Sequence, residues 1–408
     1  MNDALRSIPR MAGDGRREAN AATVLRTVLD HGPVGRSVIA RRTGLSPAAV
    51  SRQCTGLIRL GLLRELPEGA AGGSVGRPSI PVDLNTGEAG GPVAGGVHIG
   101  VPGSTFGVVD LRGRVVASRR FPHRGVPPGE LTTEVARALG RFLDEATQDR
   151  PLLGVGAAVG GWVRPDDGVV VRHDALGRRD WPLAADLARE LALTVRLDNH
   201  ARAVAHAEIL FGRPAARRSL VHLFVGNVVD AAFGIAGVIH QGPGSGAGDV
   251  AHLPVPGSTA RCVCGCHGCL QATASDTVLA ARAVSRGIVP EASAALVVDA
   301  AATGDRRADE LLRERAREVG RATALLLDVL NPDLVVITEQ SSVLNPDYLE
   351  ELRDTAVALS HVCDDPERIV GPFAGPGVLP VAAGTALMVP LFRDPVTVAE
   401  SLRSQTGA

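Results

Sequence analysis

Apolar residues near the start of the chain recur with helical spacing. In residues 20–31 they fall on one face of a helix, and a Gly-Pro pair at 32–33 then interrupts the pattern. A second, shorter helix carries the apolar residues 38–40 and ends near Thr43-Gly44. Ser46 then suits a helix N-cap and Pro47 suits the first helical position, so the two residues open a third helix. This order of elements predicts a helix-turn-helix.

The predicted third helix has one apolar and one polar face. The inward stripe consists of Val50, Cys54, Leu57 and Ile58. The outward positions carry short or polar side chains, namely Ala48, Ser51, Arg52, Gln53 and Thr55. A recognition helix needs such residues because it enters a major groove about 12 Å wide and presents donors to base edges. We therefore expect Arg52 and Gln53 to read bases. The phosphate backbone would be contacted by Arg36, Ser46 and Ser51.

The segment after the third helix predicts a wing. Residues 60–65 read as its first strand, and the glycine-rich run 69–76 reads as its tip. The wing closes with Gly-Arg-Pro at 76–78. An arginine braced by proline suits the minor groove, where the negative potential attracts a guanidinium group, so we expect Arg77 to enter it. A flexible linker that carries Arg77 by chance is the alternative.

From about residue 90 the pattern changes, because glycine-rich, strand-like segments alternate with helical ones. The strand-like segments are 94–101, 106–111, 153–161, 193–197, 219–226, 231–239 and 333–338. This alternation predicts an α/β region with two lobes.

Length and composition fit a protein of several domains. With 408 residues, of which 45% are hydrophobic, the chain is too long for one small core. It contains no run of about 18 uncharged apolar residues, and its first residues lack the apolar segment of a signal peptide. We therefore expect a cytoplasmic protein without a membrane partner.

The net charge of −1 conceals an asymmetry. Residues 1–85 contain 12 arginines and 7 acidic residues, a net charge of +5, whereas the rest of the chain sums to −6. A basic segment on an acidic remainder indicates a polyanion partner, such as double-stranded DNA, for that segment alone. A solvated basic face is the alternative explanation.

The cysteines are unevenly distributed. Four of the six lie within eight residues: Cys262, Cys264, Cys266 and Cys269. In a cytoplasmic protein such clustering favours a metal site over disulfides, since neighbouring thiols stay reduced there and chelate metals well. Cys54 and Cys363 stand alone and are expected to be ordinary buried thiols.

Three stretches of the large region share one resemblance. In the first stretch, nine residues separate His252 from the run CVCGCHGCL at 262–270. In the second, DNHAR at 198–202 is followed by EILFG at 208–212. The third is AGDVAH at 247–252. These stretches resemble the H-x9-CxCGxxGCL, ENDxN…ExxFG and AGExGH motifs of the ROK family, which groups repressors, open reading frames and sugar kinases.

The resemblance covers residues 18–390 and extends to the wing, because the Gly-Arg-Pro element at 76–78 is similar to the repressor branch of the family. It implies an N-terminal, mostly α winged helix-turn-helix followed by a two-lobed α/β actin-like ATPase fold. The predicted domains are a flexible N-terminus (1–17), a DNA-binding head (18–86), a first lobe (87–205 with 380–408) and a second lobe (206–379).

The cysteine cluster fits a structural zinc site. One histidine and three cysteines supply the four ligands of a closed tetrahedral site, and glycines at 265 and 268 permit the tight turns between them. Cys266 and His267 compete as ligands within the loop. Spacing and the resemblance together favour the set His252, Cys262, Cys264 and Cys269. The zinc ion would order this loop, so its effect on function would be indirect.

The resemblance also shows where kinase chemistry is lost. A sugar kinase needs a carboxylate base and glycine-rich turns whose backbone N–H groups hold phosphates. His200 stands where the family has its catalytic aspartate, and Arg202 replaces the next asparagine. The D-x-G-G-T turn corresponds to 98–102, which begins with histidine and ends with a proline that has no N–H group. The G-T-G-x-G loop corresponds to 226–230, and Glu-Gln at 339–340 replaces a Gly-Gly pair. We expect no catalytic residue and no kinase activity.

The sugar site of the family is only partly kept. By resemblance the residues that would contact sugar hydroxyls are Asn199, His200, Asp249, His252 and Gln271. Asn199 and His252 match the family, whereas the other three depart from it. All five can form hydrogen bonds, so a sugar or sugar-phosphate effector is one prediction. The alternative is that these groups bond one another in a collapsed cleft, and the sequence does not decide between the two.

The sequence therefore predicts a regulator, more often a repressor, that binds an operator as a homodimer or homotetramer. Effector binding would change the spacing of two DNA-reading heads. A sugar kinase with a DNA-binding appendage and a regulator that binds another protein are the alternatives.

Overall fold

The computed structural model describes residues 13–67, 80–87, 90–147, 150–255 and 257–406. The elements of its N-terminal head are α1 (Gly13–His31), β1 (Val34–Gly35), α2 (Arg36–Thr43), α3 (Pro47–Arg59), β2 (Leu63–Glu65) and β3 (Pro81–Leu84). The strands pair in the order β1-β3-β2, with Leu63 opposite Leu84. The head is thus a helix-turn-helix followed by a two-stranded hairpin. Residues 1–12 and the predicted wing tip with Arg77 lie outside the described residues.

The helix boundaries in the head follow local cap chemistry. α2 ends at Gly44, whose φ of +70° is the left-handed conformation that glycine adopts at little cost. α3 begins after Ser46, because the Ser46 hydroxyl accepts a hydrogen bond of 3.2 Å from the Ala49 N–H group and Pro47 fills the first helical position. The two signals that the sequence offered for this turn therefore act as predicted.

The first lobe is built on a mixed sheet. Its elements are β4 (Val93–Ile99), β5 (Gly103–Asp110), β6 (Val115–Pro122), α4 (Leu131–Thr147), β7 (Leu152–Val159), β8 (Trp162–Arg164), β9 (Val169–His173), β10 (Arg178–Trp181), α5 (Leu183–Leu191), β11 (Val195–Asn199) and α6 (His200–Phe211). The five-stranded sheet has the order β11-β7-β4-β5-β6, and β8, β9 and β10 form a small separate sheet.

The second lobe repeats this plan, and the chain then returns to the first. Its elements are β12 (Ser219–Val225), β13 (Val229–Ile235), β14 (Val238–His240), α7 (Leu270–Ala274), α8 (Asp276–Ser285), α9 (Ala294–Ala302), α10 (Arg306–Leu330), β15 (Leu334–Glu339), α11 (Gln340–Leu344), α12 (Pro346–Leu359), β16 (Ile369–Val370), α13 (Val378–Arg393) and α14 (Pro395–Thr406). The boundary that the sequence predicts at 205–206 falls within α6.

The two large sheets have the same topology. In each, three antiparallel strands connected in sequence (β4 to β6, and β12 to β14) are extended by two parallel strands, giving β14-β13-β12-β15-β16 in the second lobe. A parallel extension needs a crossover, which helices such as α4 and α10 provide. This duplicated α/β plan confirms the two-lobed actin-like fold that the sequence predicts.

Helix α13 lies directly on the first sheet. Glycines on the sheet permit the close approach, since a Cβ atom at Gly156 would lie 1.9 Å from the carbonyl oxygen of Ala383. By length and composition the segment Gly375–Arg393 of the described chain could cross a membrane. However, 67% of its apolar window is buried inside the protein, as expected for a core helix.

The head and the first lobe share one apolar core. A single cluster of buried residues contains Val24 and Leu57 from the head together with Leu210, Met388 and Phe392 from α6 and α13. Polar contacts surround it. The Arg217 guanidinium forms a two-point ion pair of 2.8 Å with Asp30, and the Arg26 guanidinium donates to the carbonyl of Ile209 at 2.7 Å. Arg112 donates to the carbonyl of Leu29 at 3.0 Å and pairs with Asp83.

Candidate functional sites

The N-terminal half of α3 presents an exposed polar face on the head. Val50, Cys54 and Leu57 are buried against the head core, whereas Ser51 and Arg52 are exposed on the opposite side. Ser46, at the start of the helix, is also exposed. The surface therefore offers a guanidinium and two hydroxyls at the end of the helix that enters a groove in helix-turn-helix proteins.

Two of the predicted DNA contacts are placed differently from expectation. Gln53 is only 8% exposed, so the prediction that it points outward is wrong. Position 53 follows Val50 by three residues and precedes Leu57 by four, which sets it on the buried stripe of the helix. Arg36 is half-buried, and its guanidinium pairs with Glu65 at 2.7 Å, which ties α2 to the wing strand β2. Arg77 lies outside the described residues.

Two exposed arginines were not singled out from the sequence. Arg41 and Arg42 occupy the last turn of α2, immediately before the turn that leads to α3. The signal was a pair of adjacent cations next to the predicted recognition helix. They add to the positive charge available for phosphate contacts beside Ser46.

A cleft of about 1340 Å³ separates the two lobes. It is lined by Asn199, Asp249, His252 and Gln271, four of the five residues that the resemblance assigns to sugar contacts. His200 is 4% exposed and lies beneath the surface. Part of the predicted site has therefore closed on itself, but a large cavity is present above it.

We call the deepest part of the cleft the floor; its polar residues are Asp198, Asn199, His200, Arg202 and Asp230. The Asp230 carboxylate lies 2.9 Å from Nε2 of His200 and accepts hydrogen bonds from the Gly161 N–H group at 2.9 Å and from Nδ2 of Asn199 at 3.1 Å. Burial opposes ionisation, but these three groups hold the pKa of Asp230 below its ordinary value. Asn199 is also the N-cap of α6, through its Oδ1 atom.

Each nitrogen of the Arg202 guanidinium donates a hydrogen bond on the floor. It pairs with Asp198 at 2.7 Å and donates to the carbonyls of Ser245 at 3.0 Å and of Val163 at 2.8 Å. Arg202 is only 2% exposed. The arginine that replaces an asparagine of the family thus joins the floor to both lobes.

Aromatic rings fill the position of the lost catalytic carboxylate. The His200 ring stacks on Phe224 with 3.8 Å between centroids and on His98 with 5.7 Å. Burial lowers the pKa of His98 to about 3, and the neighbouring His200 ring adds to this effect, so His98 is neutral. Both positions carry an aspartate in the kinases that the chain resembles, according to the motifs above.

A buried triad occupies the region beside loop 226–230. Arg315 is 2% exposed and pairs with Asp276 at 2.7 Å and with Glu339 at 2.9 Å. Its guanidinium also donates to the carbonyl of Ala274 at 2.8 Å. Burial alone would raise the pKa of Glu339, but Arg315 and two serines of α11 hold it below its ordinary value. Two carboxylates and a cation therefore stand where the sequence replaces phosphate-binding and adenine-binding glycines.

Another buried carboxylate has no such partner. Glu208, near the C-terminal end of α6, is fully buried and forms no ion pair with a described residue. One of its oxygens accepts a hydrogen bond of 2.7 Å from the Phe373 N–H group. Burial raises the pKa of Glu208 from 4.5 to about 7.

The four predicted zinc ligands lie together. The ligand atoms of His252, Cys262, Cys264 and Cys269 are all within 4.8 Å of one another. Sγ of Cys264 lies 3.7 Å from Sγ of Cys269, and Nδ1 of His252 lies 3.6 Å from Sγ of Cys262. Around a tetrahedral zinc ion two thiolates are about 3.8 Å apart and an imidazole nitrogen and a thiolate about 3.6 Å apart. The geometry fits zinc, and the exposed Cys266 is not in the group.

Gln271 connects the loop that carries the clustered cysteines, which we call the metal loop, to loop 226–230, whose last residue is Asp230 of the floor. Its Oε1 atom accepts a hydrogen bond of 2.8 Å from the Val229 N–H group, and its Nε2 atom donates to the carbonyl of Asn227 at 2.6 Å. Both partners belong to the loop that replaces the G-T-G-x-G element. This side chain therefore shapes the cleft wall, with its amide already bonded within the protein.

Comparisons with known proteins bear on the whole chain. The ROK family matches residues 94–366, and the IclR helix-turn-helix domain matches residues 19–67. A protein of Mycobacterium tuberculosis named as a transcriptional regulator is 35% identical over 394 residues, which cover 93% of this chain and 87% of the relative. The DNA-binding transcriptional dual regulator NagC of Escherichia coli is 27% identical over 343 residues, which cover 81% and 83%.

Two solved structures resemble the fold. A ROK family transcriptional regulator, a homologue of the Escherichia coli MLC protein, has a TM-score of 0.73 at 21% identity and covers 94% of this chain and 99% of its own. A ROK family glucokinase from Streptomyces griseus, in complex with glucose and AMPPNP, has a TM-score of 0.63 at 23% identity and covers 72% and 98%. At these identities the structures bear on the fold and not on the chemistry.

Proposed function

This chain belongs to the ROK family and is a transcriptional regulator with a helix-turn-helix head; from that premise we propose that it represses transcription from a specific operator in response to a ligand in the lobe cleft. The observation that carries the DNA-reading part is the exposed N-terminal half of α3, with Ser51 and Arg52 outward and an apolar stripe behind them. As a regulator that binds DNA, the protein would act in the cytoplasm.

Each DNA contact in this proposal has a distinct role. Arg52 would read a base edge in the major groove, and Arg77 would enter the minor groove from the wing. Ser46 and Ser51 would donate to phosphates, and Arg36 would join them on release from Glu65. Gln53 is omitted because its side chain is buried.

The two-lobed region that follows the head, which we call the module, is proposed to lack kinase activity. A transferred phosphoryl group needs nearby cations and free backbone N–H groups, whereas Asp230 places a carboxylate within loop 226–230 and Asp276 places another beside Gly226. The position of the base holds a histidine stacked between rings. We expect no ADP release above background in a coupled assay with common hexoses. Turnover that disappears in His200→Ala would contradict this part.

Zinc is proposed as a structural ion held by His252, Cys262, Cys264 and Cys269. Their separations fit one tetrahedral ion, and three thiolates with one imidazole form a donor set that zinc prefers. The ion would fix the loop that carries Arg261 and leads into α7. It would also keep Gln271 in contact with loop 226–230, so that metal binding and cleft shape are linked.

The operator is proposed to be read by two heads of a homodimer, alone or within a tetramer, because helix-turn-helix regulators pair half-sites about 34–36 Å apart. A second copy of the chain would fit the exposed apolar ends of α10 and α12. Val329 is 69% exposed there and Leu359 48%, and Ser360 donates to Asp328 at 2.6 Å, which keeps the two ends adjacent. Sedimentation analysis of Val329→Asp should show loss of the dimer.

The ligand is proposed to be a sugar or sugar derivative, and its signal would travel by movement of the lobes. The head shares an apolar core with the first lobe and is also tied to it by Arg112, which contacts Leu29 and Asp83, so a rotation of that lobe would carry the head with it. The spacing of two heads in a dimer would change as a result.

Genome-wide immunoprecipitation of the tagged protein tests the main proposal. Discrete peaks are expected for the parent protein, and they should vanish in Arg52→Ala and weaken in Arg77→Ala. Arg189→Ala is the matched control, since Arg189 is an exposed arginine of α5 in the module and should leave the peaks unchanged. Absence of peaks under several carbon sources would overturn the proposal that this chain represses transcription from a specific operator.

A further inference from the structure

A row of side chains at the mouth of the cleft has no assigned role. Trp162, Arg172 and Arg179 stand opposite one another on β8, β9 and β10, because Trp162 pairs with Arg172 and Arg172 pairs with Arg179 in the antiparallel register. Residues directly opposite in such a sheet project to the same face. All three line the cleft, and Arg261 of the metal loop lines it too. We call these four residues the mouth.

The arginines of the mouth are loosely paired. Arg172 lies 3.5 Å from Asp174 and 3.7 Å from Asp249, and Arg179 lies 3.5 Å from Asp174. These separations exceed the 2.7–2.9 Å or so of a charge-assisted hydrogen bond. Arg261 forms no ion pair with a described residue. Three guanidinium groups therefore face two carboxylates, and their N–H donors are not used by the described protein groups around them.

The mouth differs in this respect from the buried arginines of the two lobes. Arg202 and Arg315 each donate several hydrogen bonds shorter than 3.1 Å. A guanidinium with unused donors in a concave site is suited to a planar or tetrahedral oxyanion, which it can bind through two hydrogen bonds. The indole of Trp162 is 40% exposed beside Arg172 and is fixed by its bond of 2.8 Å to the carbonyl of Gly244.

We propose that the mouth is a subsite for an anionic group, a carboxylate or a phosphate, carried by a carbohydrate effector whose ring lies towards Trp162. The inference rests on the proposed sensing function and narrows it, because a neutral sugar would leave the arginines unused. The cleft volume of about 1340 Å³ exceeds the roughly 1,000 Å³ of an ordinary small-molecule site, so it accommodates a substituted sugar. Asp174 competes with the ligand for Arg172 and Arg179.

Calorimetric titration of the full-length, zinc-loaded protein tests the subsite. The probes are glucose, glucose 6-phosphate, glucuronate and inorganic phosphate. We expect at least one charged sugar to bind about tenfold more tightly than glucose, with an affinity that falls as salt is added. Glucose 6-phosphate and glucuronate distinguish a phosphate from a carboxylate.

Two variants should shift this affinity in opposite directions. Arg179→Gln removes a donor and should weaken binding of the charged sugar about tenfold, whereas Asp174→Asn removes the competing carboxylate and should strengthen it severalfold. Arg189→Gln, a change of an exposed arginine outside the cleft, should have no effect.

The outcomes separate the subsite from the wider proposal. Equal binding of glucose and the charged sugars, unchanged in Arg179→Gln, would overturn the subsite and leave sugar sensing in place. Binding of inorganic phosphate as tight as that of glucose 6-phosphate would overturn the carbohydrate part of the inference. Failure of all four probes, with operator binding intact, would overturn the subsite and sugar sensing together, but not the DNA-binding function.

Discussion

The floor and the mouth of the cleft both contain arginines and aspartates, but the two regions pair them differently. On the floor Arg202 and Asp198 are 2.7 Å apart and their side chains are 3% and 10% exposed, whereas at the mouth Arg179 and Asp174 are 3.5 Å apart and are 70% and 47% exposed. Burial makes an unpaired charge costly, so a buried position is tolerated only with close partners. An exposed cation needs no close partner within the protein, so it remains available to bind a ligand. The floor of the cleft is thus closed by buried, closely paired charges, whereas its entrance is open and charged.

The largest expected effect concerns the proposed zinc ion, which would support the mouth. Cys264→Ser should reduce the zinc content from a full equivalent to almost none, because it removes one of four tetrahedral ligands. It should also weaken charged-sugar binding, since Arg261 adjoins the first cysteine of the loop. Cys266→Ser is the matched control, as both thiols are exposed, and should retain the metal. Atomic absorption after dialysis is the measurement. Zinc loss in Cys266→Ser instead would favour the competing ligand set.

Breaking the buried triad tests whether burial dictates the tight pairing. Arg315→Met should lower the free energy of unfolding by about 3–5 kcal/mol, because it leaves Asp276 and Glu339 buried without a cation. Urea denaturation gives the value. Arg307→Met on the same helix removes a 62% exposed arginine and should leave stability unchanged within error. An equally small change in Arg315→Met would show that burial does not make close pairing of charges necessary, as the comparison of floor and mouth assumes.

Glu208 offers a buried acid that lacks a paired cation. Its pKa is about 7 in the folded protein and 4.5 is the ordinary value, so the unfolded chain loses its proton first as the pH rises. Stability from this group should therefore fall between pH 4.5 and 7, by about 3 kcal/mol in total. Glu208→Gln should remove that fall and stabilise the protein at pH 8.

Urea denaturation at pH 5, 7 and 8 measures this dependence. Glu350→Gln, at an exposed glutamate of α12, is the control and should follow the parent protein at each pH. An unchanged pH profile in Glu208→Gln would mean that Glu208 is ionised in the folded state despite its burial.

The smallest effect is expected at a pair of intermediate burial. The side chains of Arg217 and Asp30 are 34% and 21% exposed and join the module to the head. Arg217→Gln should cost about 1 kcal/mol or less, since partial exposure screens the pair. Differential scanning calorimetry would detect it as a small fall in Tm. A loss of stability as large as that of Arg315→Met would show that the exposure of an ion pair does not determine how much the pair contributes to stability.

The sequence was sufficient for features that depend on local chemistry. The cap residue Ser46, the break after α1 and the apolar period of α3 located the helix-turn-helix. The spacing from His252 to Cys269, together with the family resemblance, selected four residues that the structure brings together. Each of the seven strand-like segments overlaps a strand of the two large sheets. These signals lie within short windows and do not depend on tertiary contacts.

Other features were not predictable because their partners are distant in sequence. Arg315 is 39 residues from Asp276, and His200 and Asp230 are 30 apart, so nothing local revealed these pairs. Strand β6 was missed because its exposed, arginine-containing surface lacks an apolar alternation. Gln53 was misplaced because a polar side chain was assumed to face outward, although its position on the helix is that of a core residue. The mouth depends on the register of β8, β9 and β10.

The apolar core shared by the head and the first lobe has a consequence for how such regulators can be recombined. Residues of α1 and α3 belong to the same buried cluster as Leu210, Met388 and Phe392. The head therefore cannot be exchanged as an independent domain, since its removal would expose this apolar surface to water. A gene fusion that gave the module a new head would have to bring a matching surface with it, and the isolated module should aggregate.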